Sequence, residues 1–174
     1  MRLVKNVALI GMPGSGKTSV AKKLASLLGL MSVDTDELIE FEVGMTPAQI
    51  FEKHGEKVFR EYETKALSSA VKMENVIIST GGGIVENKAN IDLLSDCYVI
   101  YLSASKNALM SRLRNSDRPL LRGNLSDKLD SLYNKRKNLY LSCRDMTVYT
   151  SAISVNTAAK KIYDILLDLN IAEN

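Results

Sequence analysis

Gly11-Met12-Pro13-Gly14-Ser15-Gly16-Lys17-Thr18 decides how this chain is read. The apolar Val7-Ala8-Leu9-Ile10 runs into it, and the segment behind it carries Val20, Leu24, Leu27 and Leu28 at helical spacing. A strand, a G-x-x-x-x-G-K-[ST] turn and a helix in that order predict a phosphate loop. Backbone N–H groups across Gly14, Ser15, Gly16, Lys17, Thr18 and Ser19 are placed to face the phosphates of a nucleotide. Lys17 is expected to reach the β/γ oxygens and the Thr18 hydroxyl to serve Mg²⁺, so the loop marks a user of ATP or GTP. A chance match in a glycine-rich turn is the alternative, and it leaves the flanking strand and helix patterns without a cause.

Working outward, 174 residues suit one domain with a sizeable core and at most a small insertion. Cys97 and Cys143 lie far apart in apolar or helical surroundings, which fits small buried thiols in a reducing compartment better than a bridge or a metal site. The apolar stretch after the basic Met1-Arg2-Leu3-Val4-Lys5-Asn6 is too short for a signal peptide or a membrane span, so a soluble cytoplasmic protein is expected. The formal charge of +3 is slight and the basic residues are dispersed, which argues against a nucleic-acid surface.

Short β-like runs at 3–10, 31–33, 76–79, 98–102 and 146–155 alternate with helical patterns at 17–28, 56–73, 104–114, 126–142 and 157–169. The alternation predicts an α/β fold, a parallel sheet covered by helices. Ser126 and Thr157 are the expected N-caps. Residues 36–73 are too long and too helical for a plain crossover, and 115–124 are polar with Arg, Gly and Pro. They read as a substrate-binding insertion and a mobile lid.

Asp34-Thr35-Asp36 stands at the C-terminal end of the second strand, where ligands of open α/β sheets gather. Side chains two apart on a strand end share a side, so one carboxylate can address Mg²⁺ through water while the other meets an acceptor substrate. Alternatively, one or both cap a helix beginning near Glu37. Arg60 and Glu63 share a helical face, either as a held guanidinium fork for a carboxylate or as a surface ion pair of little consequence. Phe51 and Phe59 are placed to wall a small apolar pocket. Gly81-Gly82-Gly83 at the end of the third strand is costly for folding unless something must approach the backbone closely. Met45, Ile50, Ile84, Met110 and Leu113 read as packing, and His54 beside Gly55 as a residue near a helix end.

Together with Phe59-Arg60-x-x-Glu63, Arg118-Pro119-Leu120-Leu121 and Arg136-x-x-x-Tyr140, these motifs resemble shikimate kinase in identity, order and spacing over nearly the whole chain. The resemblance implies a three-layer phosphate-loop NTPase fold with a five-stranded parallel sheet of order 2-3-1-4-5 across one kinase domain, 1–174. The helical substrate-binding segment would span about 34–62 and the closing lid about 112–124. It further implies transfer of the γ-phosphoryl group of ATP to the 3-hydroxyl of shikimate, giving shikimate 3-phosphate and ADP, on the route to chorismate and the aromatic amino acids.

By the same similarity Asp36 binds the shikimate hydroxyls and orients, or takes a proton from, the attacking one, while Asp34 and Thr18 hold the Mg²⁺ cofactor. Arg60, Arg136 and the backbone of Gly81, Gly82 and Gly83 bind the substrate, the two arginines taking its carboxylate, and the lid delivers Arg118 to the phosphates beside Lys17. Arg112 and Arg114 compete for the place against adenine, with Arg112 preferred, and Ser154-Val155-Asn156-Thr157 stands where relatives often carry a basic loop. ATP and shikimate are the implied partners of a monomer that binds neither nucleic acid nor membrane. A gluconate kinase of the same fold would share the loop without needing paired arginines and a triple glycine. A silent nucleotide-binding module would be expected to lack Lys17, Asp36 or Arg118, and all three are present.

Overall fold

The apolar runs pair into one parallel sheet. The computed structural model describes residues 1–114 and 124–173. Its strands are β1 (Arg2–Leu3), β2 (Val7–Ile10), β3 (Met31–Asp34), β4 (Val76–Ser79), β5 (Tyr98–Ser103), β6 (Met146–Tyr149) and β7 (Ala172–Glu173). The five from β2 to β6 form the main sheet, every neighbouring pair parallel, in the order β3-β4-β2-β5-β6. Counted along those five strands the order is 2-3-1-4-5. Parallel pairs need crossovers, and these come from α1 (Lys17–Leu28), α2 (Thr35–Val43), α3 (Pro47–Val71), α4 (Lys88–Leu94), α5 (Lys106–Leu113) and α6 (Leu125–Cys143), while α7 (Val155–Asp168) follows the last strand of the sheet.

Successive strand residues face opposite sides, and two apolar layers follow. Ala8, Ile10, Ile78, Val99 and Tyr101 pack against Leu67 of α3, Leu94 of α4, Leu109 of α5 and Tyr140 of α6. On the other face Val7, Leu9, Ile77, Ile100 and Leu102 meet Leu24 and Leu28 of α1 and Ile162 and Leu166 of α7. A separate cluster of Ile39, Ile50 and Phe59 ties α2 to α3. In that cluster Phe51 lies tilted against Phe59, ring centroids 6.0 Å apart. Ile50, Ile84 and Leu113 are buried as expected, and Met45 and Met110 pack at the margins.

Element ends differ from the sequence expectation where side chains compete for the backbone. The run 3–10 is not one strand, because Asn6 interrupts it. Its amide donates to the carbonyls of Val71 (3.3 Å) and Met73 (2.5 Å), and its Oδ1 accepts from the Val76 N–H (3.1 Å). β1 turns away and pairs antiparallel with β7. The run 146–155 ends as a strand at Tyr149, since Ser154, and not Thr157, caps α7 by accepting from the Thr157 N–H at 3.1 Å. Ser154-Val155-Asn156-Thr157 is therefore a capped first turn rather than a loop. Asn124, and not Ser126, caps α6, while Ser105 caps α5.

The helix expected at 56–73 is the second part of α3, ending at Val71; a first part, absent from the expectation, begins at Pro47 behind a reciprocal Thr46–Gln49 capping box and breaks at Gly55, where φ is 82° beside the exposed His54. α4 has no counterpart among the expected helices; its 7 residues are too few for an apolar period to stand out. The expected lid, with Arg118, falls on 115–123 and lies outside the described residues. Cys97 is buried and Cys143 half-buried, both free thiols, and burial pushes Cys97 up to about 11. Among the described residues no helix is long and apolar enough to cross a membrane.

Candidate active site

β2, β3 and β4 all end at one edge of the sheet, and the candidate residues collect there. β2 leads into the phosphate loop and α1, whose first residue is Lys17. The Lys17 ammonium donates to the carbonyls of Gly11 (2.9 Å) and Met12 (3.1 Å). The first turn of α1 adds N–H groups without intrahelical partners and the positive end of the helix dipole, a setting that favours phosphate. Asp34, the last residue of β3, stands opposite Ser79, the last of β4. Its Oδ2 accepts from the Thr18 and Ser79 hydroxyls, each at 2.8 Å, while its Oδ1 accepts from the Asp36 N–H at 3.0 Å. Asp34 is thus both the N-cap of α2 and the centre of an oxygen cluster, so the two readings of its carboxylate are compatible.

The glycine run lies against this cluster, and close approach accounts for all three residues. A Cβ at Gly81 would stand 2.5 Å from Glu63 Oε1 and 3.3 Å from Asp36 Oδ1, and one at Gly82 would stand 2.8 Å from the Pro13 ring. A Cβ at Gly83 would overlap the Arg60 guanidinium. The Gly81 N–H donates to Thr35 Oγ1 at 3.1 Å. Arg60 donates from Nη1 to Glu63 (2.8 Å) and from Nη2 to Glu56 (3.1 Å). The Glu63 side chain is only 1% exposed, so this is no surface ion pair. Burial pushes the Glu63 carboxyl up despite Arg60, and neighbouring Asp36 adds to the push. Burial also opposes charge on Arg60, but Glu63 and Glu56 outweigh it, and the guanidinium stays protonated.

The second arginine comes from α6. Arg136 is 1% exposed and its Nε donates to Glu86 at 2.5 Å; Lys135 also donates to Glu86. One turn on, the Tyr140 hydroxyl donates to the Gly82 carbonyl at 2.5 Å, and its ring stacks on Tyr101 with centroids 5.0 Å apart. Desolvation acts to raise the Glu86 carboxyl, yet Lys135 and Arg136 together hold it below its ordinary value. Arg112 donates to the carbonyls of Gly14 (3.2 Å) and Thr150 (2.6 Å), while Arg114 is the exposed C-cap of α5. The Thr150 hydroxyl in turn donates to the Ser15 carbonyl at 3.1 Å.

The comparisons with known proteins come from sequence and from structure. The family model described as shikimate kinase matches residues 13–167. The chain belongs to the shikimate kinase family. Shikimate kinase from Caldicellulosiruptor bescii is 44% identical over 169 residues, covering 94% of this chain and 96% of the relative. A structure of shikimate kinase from Acinetobacter baumannii in complex with shikimate superposes with a TM-score of 0.92 at 34% identity, covering 96% of this chain and 95% of that one. A gluconokinase from Sinorhizobium meliloti, 14% identical with a TM-score of 0.58, shares the fold alone. As a shikimate kinase family member the chain is an ATP-dependent kinase.

Lys17, Thr18, Asp34, Asp36, Arg60, the triple glycine and Arg136 all converge on the sheet edge, whereas Ser19 is an exposed residue of α1. Three contributors have no signal of their own in the sequence. Ser79 is legible only as a strand end, Thr150 only as the residue after β6, and Glu86 lies 50 residues from the arginine it holds.

Proposed function

We propose that this chain transfers the γ-phosphoryl group of ATP to the 3-hydroxyl of shikimate, giving shikimate 3-phosphate and ADP. One observation carries the reading. Two inward guanidinium groups, each held by its own low-exposure carboxylate, flank a bare glycine backbone next to Asp36, at the mouth of the phosphate loop. Such an arrangement suits a small acceptor with a carboxylate at one end and hydroxyls at the other. Arg60 and Arg136 grip the carboxylate, the Gly81-Gly82-Gly83 backbone lets the ring lie close, and Asp36 orients the attacking hydroxyl or takes its proton.

The oxygen cluster of Thr18, Asp34 and Ser79 is made of hard donors, one carboxylate and two hydroxyls within 3.3 Å of one another, and this fits Mg²⁺ held partly through water and phosphate. Thr18 and Asp34 are the residues assigned to it, and when bound the ion neutralises phosphate charge. Lys17, released from its carbonyl partners, and Arg118 meet the phosphates; Arg112 lies on the adenine side with the Gly14 to Ser19 backbone around the phosphate chain. Phosphoryl transfer asks for alignment and neutralisation of spread negative charge more than for covalent chemistry, and these groups supply both. The same reading takes the chain as one kinase domain, a cytoplasmic monomer, with a substrate segment at about 34–62 and a lid at about 112–124.

Release of ADP from Mg·ATP by the purified protein, with shikimate, with gluconate and with neither, tests the proposal. Stimulation by shikimate alone is expected. Stimulation by gluconate, or by neither while ATP still binds, would overturn it.

A further inference from the structure

Glu86 holds Arg136 and takes no binding or transfer role of its own above, and its position is fixed from several sides. It closes a 3-10 turn, Ile84–Glu86, that leaves the glycine run directly. The turn is pinned by the Ile84 N–H on the Gly81 carbonyl (3.3 Å) and the Glu86 N–H on the Gly83 carbonyl (2.9 Å). Buried Asn90 of α4 donates to the Ile84 carbonyl (3.1 Å), and Asn87, which caps α4, donates to Thr64 of α3 (3.2 Å). The Cα of Glu86 is therefore held from two helices and from the glycines. Its side chain is 12% exposed and points at Arg136, whose side chain is 2% exposed.

The contact is made through Nε. A guanidinium presents five donors in a rigid fork, and a carboxylate on the Nε side leaves the end carrying both Nη nitrogens for another partner. Among the described residues Glu86 is the one carboxylate paired with Arg136. α6 thus docks on the glycine segment at two points one helical turn apart, Arg136 on Glu86 and Tyr140 on the Gly82 carbonyl. The same segment touches the other arginine, because Gly83 leaves room for Arg60.

We infer that Glu86 is a positioning residue for substrate binding: it fixes the Arg136 fork by Nε so that its Nη end meets the acceptor's carboxylate, making residues 81–86 the common support of both substrate arginines. The inference rests on the reading of Arg136 as a carboxylate ligand. Lys135, with 61% of its side chain exposed, is an outer partner of Glu86 and is dispensable for the fork.

Steady-state kinetics of Glu86→Ala, Glu86→Gln, Lys135→Met, Arg136→Ala and the Glu86→Ala/Arg136→Ala double variant test this, with melting temperatures recorded alongside. Glu86→Ala is expected to raise the shikimate KM on the order of ten-fold, the loss of one charge-assisted hydrogen bond, with the Mg·ATP KM and kcat changed by less than about two-fold. Glu86→Gln, which keeps an acceptor for Nε without the charge, should fall between it and wild type. In the Arg136→Ala background Glu86→Ala should add little, since residues acting through one another are not additive. If Arg136→Ala itself leaves the shikimate KM unchanged, the carboxylate assignment fails. If Arg136→Ala raises it while Glu86→Ala and Glu86→Gln do not, only the positioning role fails. An equal effect of Lys135→Met, or full additivity in the double variant, also overturns that role. Should Glu86→Ala fail to fold, Glu86→Gln and its combination with Arg136→Ala give the same decision.

Discussion

Removing Arg60 should damage the protein twice, and the two effects can be separated. Arg60 is the charged partner of Glu63, whose side chain is 1% exposed and lies near Asp36. In Arg60→Ala the Glu63 carboxylate loses its counter-charge, and breaking a buried pair in this way costs about 3–5 kcal/mol if the survivor stays ionised. A carboxyl can relieve that cost by taking a proton. Burial already raises the Glu63 pKa above 4.5, and losing Arg60 raises it further. The sign follows from proton counting. Between the unfolded and folded pKa values the folded state binds more protons, so its stability falls as pH rises. Arg60→Ala should therefore melt close to wild type near pH 5 and progressively lower toward pH 8, where ~3 kcal/mol corresponds to about 6–12 °C for a domain of this size. Glu63→Gln added to Arg60→Ala should recover much of that deficit, because it deletes the unpaired charge. It should not recover the shikimate KM, since the substrate carboxylate still lacks its fork, a loss of about 2–5 kcal/mol. Thermal melts from pH 5 to 8 with shikimate saturation curves on the same samples decide the matter. A deficit independent of pH, or no recovery from Glu63→Gln, would refute the buried-pair reasoning.

Other substitutions read other parts of the site. Asp36→Asn should lower kcat by about 10²–10⁴ while Mg·ATP still binds, as for a group acting on the nucleophile; near-normal turnover would assign the hydroxyl to another residue. Asp34→Ala should raise the Mg²⁺ concentration for half-maximal rate about ten-fold or more and lower stability by about 1 kcal/mol through the lost cap of α2. An unchanged Mg²⁺ requirement would remove Asp34 from the ion. Gly83→Ala places a Cβ on the Arg60 Nη1 that pairs with Glu63, so the guanidinium must swing away, the shikimate KM should rise and the melting temperature should fall toward that of Arg60→Ala. A KM within about two-fold of wild type would show that Arg60 has room to spare.

Much of the site was legible in the sequence because its parts are local. Gly11 to Thr18 announces itself as strand, loop and helix, and α1 runs over the span its apolar spacing marks. Asp34-Thr35-Asp36 and Gly81-Gly82-Gly83 stand at strand ends, so fold class and site edge come from one reading. What stayed hidden depends on contacts distant in sequence. Whether Arg60–Glu63 was a surface pair or a buried clamp turned on packing against Gly81 and Gly83, far along the chain, which no helical spacing encodes. The Asn6 side chain split the first strand by bonding backbone of residues 71–76, and Asn124 and Ser154 displaced the expected caps by small offsets that only geometry resolves. Glu86 is the extreme case, an ordinary-looking glutamate made consequential by α6 crossing its turn.

The most direct measurement is identification of the product. Shikimate incubated with the protein and Mg·ATP should gain one phosphoryl group by mass, with phosphorus coupling to carbon 3 of the ring in the NMR spectrum and ADP formed in equal amount. Phosphate released to water with shikimate unmodified, or a phosphoryl group on a different hydroxyl, would contradict the proposed reaction.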